Sequence, residues 1–129
     1  NVIFTAQSED PEGFEPAARM STSPNPFTGA YGKWQAVELA GVALAESANL
    51  LMIPRLCGNG RPAPVQDAEW QLWVQEVRDA GMAAYAAAQT KSQEAILDAA
   101  GAVSDSCLHC HRQYRQVPGG FENRCPEPK

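Results

Sequence analysis

Cys107, Cys110 and His111 stand in the run Cys107-Leu108-His109-Cys110-His111, with Arg112, Gln113 and Tyr114 directly behind them. Two thiols three positions apart, with an imidazole beside the second, match the attachment signature of c-type haem. In that chemistry both thiols add to the vinyl groups of the macrocycle, and the histidine gives an axial nitrogen to the iron. The spacing suits a helix. Positions i, i+3 and i+4 share a helical face, so Cys107, Cys110 and His111 can address one edge of one flat group.

Two other chemistries use such a cysteine pair. A redox dithiol opens a helix inside a βαβ unit, whereas here the pair closes a helical pattern in a chain with almost no strand pattern. A zinc site could draw on His109, His111, Cys57 and Cys125 as further ligands. Structural zinc sites, however, usually join two close ligand couples, and Cys57 and Cys125 are isolated in the chain. Covalent attachment of one haem c is the reading that uses the whole five-residue match.

The elements that must position this motif are helical. A length of 129 residues suits one domain with a real core, and we expect a single haem domain over 1–129. It divides into an irregular segment at 1–33, a helical core at 34–115 and a tail at 116–129. Prolines and glycines crowd between Glu9 and Gly32, where at most a short helical turn fits around Glu15 to Met20. Asn1 to Ser8 is short and apolar, either the tail of a helix or a small strand.

From Lys33 to Ile53, Trp34, Val37, Gly41, Leu44, Ala48 and Leu51 form an apolar stripe, which predicts an amphipathic helix stopped by Pro54. A connection rich in Gly and Pro, Arg55 to Gln66, follows and contains Cys57. A second helix is expected from an N-cap at Asp67 to about Gln89, with Trp70, Trp73, Val74, Val77, Gly81, Ala84 and Ala88 on its stripe. Gly81 and its alanine neighbours imply close approach of another helix or of the haem plane. Thr90-Lys91-Ser92-Gln93 reads as a capping box for a last helix. Its apolar face runs through Ile96, Ala99, Ala100, Val103, Cys107, Cys110 and Tyr114 to Pro118-Gly119-Gly120.

A haem motif at the end of the last helix of such a bundle resembles the cytochrome c′ superfamily, including the low-spin cytochromes c-556. The block Leu44-Ala45-Glu46-Ser47-Ala48-Asn49-Leu50-Leu51-Met52-Ile53-Pro54, followed by Trp70, is similar to the second helix of that family and extends the likeness over residues 34–115. The resemblance implies an all-α, antiparallel four-helix bundle whose first helix is here short or truncated. Residues upstream of Asn1, a partner chain or the proline-rich segment would then close the core.

In that topology the second and fourth helices end at one pole, which makes Met52 the internal candidate for a sixth iron ligand, or else core packing. Met82 falls further along the bundle and Met20 at the opposite pole. The same topology brings Cys57 and Cys125 to the haem pole, and we expect a disulfide between them. Arg112 and Arg115 flank His111 and could meet the haem propionates, a docking partner or only solvent. Trp70 and Trp73 are expected in the core, with Trp70 a candidate haem contact. His109 lies off the cysteine face and is expected to be exposed.

A net charge of -5 argues against nucleic acid and anionic membranes as partners. The most apolar stretch, Trp34 to Ile53, is broken by Glu38 and Glu46, so no transmembrane segment is expected. With neither an initiator methionine nor a signal peptide before Asn1, the chain reads as a processed form. The resemblance implies an exported, periplasmic bacterial protein. The expected function is a monohaem one-electron carrier serving redox protein partners. Alternatives are a five-coordinate haem module that binds nitric oxide or carbon monoxide, and a haem subunit of a larger complex or a homodimer. Beyond the iron no convergent acid, base or nucleophile is visible, so no enzymatic activity is expected.

Overall fold

The protein is described by a computed structural model at residues 2–14, 26–28 and 31–125. The turn expected around Glu15 to Met20, and Met20 with it, lies outside these residues. The N-terminal apolar stretch is a helix and not a strand: α1 spans Val2–Ala6 and buries Ile3 and Ala6. A short 3-10 turn, Pro11–Gly13, follows it, opened by the Asp10 carboxylate accepting from the Glu12 amide.

α2 runs over Lys33–Ser47 and tightens into 3-10 winding over Ala48–Met52. Ile53 is already extended, with φ -74° and ψ 125°, as the clash of a residue with a following proline requires. α3 spans Ala68–Thr90 behind Asp67, which occupies the N-cap position but makes no side-chain capping bond. α4 spans Gln93–Tyr114. Its cap is Ser92, whose hydroxyl accepts from the Ala95 amide, and not the expected Thr90. Thr90 is still the last residue of α3 and donates its hydroxyl to the Ala87 carbonyl. The chain turns at Lys91, which is left-handed at φ 53°, so the cap falls two residues later than Thr90, at Ser92.

These four helices form an all-α bundle with a short first helix; among the described residues no strand forms, only an isolated bridge between Leu56 and Pro62. α3 is central and packs along both α2 and α4. The α2–α3 crossing is close because both helices offer a glycine there. A Cβ on Gly81 would stand 2.6 Å from the Ala45 amide nitrogen, and one on Gly41 2.6 Å from that of Tyr85. Of the two reasons for small residues on α3, the neighbouring helix accounts for Gly81.

The core has two parts. At the pole of the α3–α4 turn, Ile3, Ala6, Phe27, Trp34, Val37, Ala84, Ala88 and Ile96 pack together, with α1 laid against both α2 and α4. At the other pole, Ala48, Val65, Trp70, Val74, Val77 and Tyr114 form a second cluster. No α1 residue reaches it. Among the described residues no helix is long and apolar enough to cross a membrane.

Candidate functional site

α4 is buried on one side through Ile96, Ala99, Ala100 and Val103 and emerges in its last turns, where Cys107, Cys110 and His111 are half-buried. Both cysteines are free thiols. Cys110 and His111 line an open cleft of 270 Å³ at the pole away from α1. Its walls are Leu51 from the end of α2, Trp70 from α3, Tyr114 from α4, Ala63 from the α2–α3 connection, and Cys125 from the tail. Cys107 lies one turn before this wall.

The floor of the cleft is fixed by Trp70. Its indole N–H donates to the Leu51 carbonyl at 3.0 Å, and its ring meets Tyr114 edge-on, with centroids 4.8 Å apart. One residue thus ties the ends of α2, α3 and α4 together. Burial, with help from the Glu69 and Asp67 carboxylates and Cys110, pushes the Tyr114 phenol up to about 12. Burial also raises the Cys110 thiol, as does neighbouring Cys107, while the Arg55 charge opposes them. Cys110 is therefore held as a neutral thiol at neutral pH.

Cys57 and Cys125 are joined in a disulfide with Cα atoms 6.2 Å apart. The bond draws the C-terminal tail over the cleft, where the Cys125 amide also donates to the Tyr114 carbonyl at 3.2 Å. Met52 is half-buried and packs, with Cys57 and Cys110, on the cluster around Trp70. It is the neighbour of the motif that the topology demanded, but it does not line the cleft. Met82 is exposed on α3.

Arg112 is exposed and outside the cleft wall, whereas Arg115 lines it. Two further arginines that the sequence did not single out, Arg55 and Arg124, line it too. Trp73 is half-buried against the ring of His109, its indole nitrogen buried without an acceptor. His109 is exposed and pairs with the Glu76 carboxylate at 2.9 Å. With Cys57 and Cys125 bonded to each other, and no group of three or more His, Cys, Asp or Glu side chains among the described residues placed to hold a metal ion, a zinc site has lost its ligand set.

The donor set fits a covalently held haem. Of the two free thiols at i and i+3 and the imidazole at i+4, Cys110 and His111 line a mostly apolar cleft and Cys107 lies one turn away on the same helix, and the Nε of Arg124, another lining residue, is buried with no acceptor. Fold and site together define a class by architecture, a helical bundle with a Cys-x-x-Cys-His motif at the open pole. Comparison with known proteins adds no relative: no family model, no curated protein and no solved structure matches the chain.

Proposed function

We propose that this protein is a monohaem c-type cytochrome that carries single electrons between redox proteins. The observation that carries the reading is the placement of the motif: Cys110 and His111 face an apolar cleft that Trp70 and Tyr114 floor, with Cys107 one turn away on the same helix. Cys107 and Cys110 would bind the macrocycle covalently, and His111 would be the axial ligand. The haem supplies the reversible one-electron iron couple. The chain's part is to exclude water with Leu51, Trp70 and Tyr114 and to hold the motif rigidly on α4.

A second reading is favoured by the lining of the cleft, which includes no methionine and no second histidine among the described residues. A haem with an open sixth position that binds nitric oxide or carbon monoxide would suit it, as would Met52 only after a local shift. The disulfide goes with an exported, periplasmic setting. Membership of the cytochrome c′ superfamily, assembly as a homodimer or into a larger redox complex, and the absence of enzymatic activity belong to the same proposal.

The test is the visible spectrum of the purified protein, oxidised and reduced, with and without carbon monoxide, beside the mass of the denatured chain. A haem mass retained on denaturation, and lost in Cys107→Ser with Cys110→Ser, is the expected result. A sharp reduced α band indifferent to carbon monoxide supports the carrier. A broad spectrum that shifts with carbon monoxide supports the gas binder. A chain with neither haem band nor haem mass would falsify the proposal.

A further inference from the structure

Three arginines from distant parts of the chain line the cleft. Arg55 comes from the connection after α2, Arg115 from the C-cap of α4, and Arg124 from the tail. Among the described residues none of the three is paired with a carboxylate; the ion pairs there are Lys33 and Lys91 with Glu12, and His109 with Glu76. Three arginines on one mostly apolar cleft, paired with no carboxylate among the described residues, suit a ligand that is partly apolar and anionic.

Arg124 carries the argument furthest. Its guanidinium lies 5.0 Å from the centroid of the Phe121 ring, and its Nε is buried without an acceptor. A buried donor left unpaired is unfavourable, so its position has to be imposed from elsewhere. The imposing contacts are on all sides of the tail. The Asn59 amide donates to the carbonyls of Glu122 and Arg124, and the Cys125 amide donates to the Tyr114 carbonyl. Phe121 lies so close over Gly58 that a Cβ there would meet its ring at 2.6 Å. The Cys57–Cys125 bond fastens the whole arrangement.

A ligand matched to this lining is flat or apolar on the side of Leu51 and Trp70 and carries carboxylates on the side of the arginines. Resting on the haem reading above, we propose that Arg55, Arg115 and Arg124 form a clamp for the haem propionates, with the disulfide setting the place of Arg124 in it. Guanidinium groups bind carboxylates through paired N–H donors and favour their ionised form. The clamp therefore keeps the propionates charged through neutral pH. Its positive charge also favours the reduced iron.

Redox titration of the haem-loaded protein against pH tests this, with covalent haem content measured first on every sample. The wild type and Arg61→Gln, an exposed arginine outside the cleft, are expected to show a midpoint almost flat across neutral pH. Arg55→Gln and Arg124→Gln are expected to lower the midpoint and to make it fall with rising pH there, as the propionates take up protons on reduction. Arg124→Lys, which keeps the charge, should return the midpoint toward wild type. The double variant Cys57→Ser with Cys125→Ser should behave as Arg124→Gln does. Haem-loaded Arg55 and Arg124 variants with the wild-type midpoint and pH profile would overturn the clamp while leaving the haem reading intact. A wild-type chain that takes up no haem would overturn both.

Discussion

Gly41 and Gly81 face each other across the α2–α3 crossing, each so close to the opposite backbone that a methyl group on either would lie 2.6 Å from an amide nitrogen. Alanine normally stabilises a helix interior relative to glycine by about 0.5–1 kcal/mol. Here the helices would have to part, and overpacking costs about 1–3 kcal/mol. Gly81→Ala should thus lower the thermal midpoint. Gly101→Ala, on α4 with nothing within 4 Å of the added carbon, should raise it. Melting curves of the two variants side by side decide the matter, and equal shifts would contradict the packing.

The Cys57–Cys125 bond spans a sequence separation of 68 residues. In the chain-entropy account, closing a loop of this length makes its loss cost about 4 kcal/mol. Denaturant unfolding of the oxidised protein, the reduced protein and Cys57→Ser should show the last two unfolding together, well below the first. Coincident curves for all three would remove the bond from the stability of the bundle.

Tyr114 titrates at about 12 against an ordinary value near 10. Its neutral form is the one the fold favours. The stabilisation is complete below about pH 10 and is lost as pH rises through about 12. Absorbance of the phenolate should show Tyr114 ionising only near pH 12, together with unfolding. Early ionisation in the still folded protein would mean that the phenol is not desolvated.

Trp70→Phe keeps an aromatic floor but leaves the Leu51 carbonyl without its donor. The loss of that bond should cost about 1–2 kcal/mol. His109→Gln, which removes the exposed pair with Glu76 and the ring contact with Trp73, should cost less, both partners being on the surface of the helix pair. Chemical unfolding of both variants provides the comparison, and a larger loss for His109→Gln would reverse the ranking.

Much of the bundle was legible because burial imposes a period. Trp34, Val37 and Gly41 on α2, and Val74, Val77, Gly81 and Ala84 on α3, are buried as their spacing requires. Val2–Ala6 was ambiguous because five residues are too few to show a period. The start of α4 at Ser92 and not Thr90 turned on one left-handed residue, Lys91, that no pattern marks. The placement of Cys107, Cys110 and His111 on one helix was legible from the period alone. Arg55 and Arg124 could not, since they sit in irregular segments that only the folded tail and its disulfide bring to the same cleft.

Leu44 packs against both halves of the core, and it divides the molecule into an anchored half and a receptive half. The half built on Ile96, Trp34 and α1 is packed from this chain's own buried side chains. It can consolidate first and hold α4 as a formed helix, with Cys107 and Cys110 at fixed positions along it. Amide exchange should follow that division, slowest around Ile96 and quickening along α4 toward Tyr114.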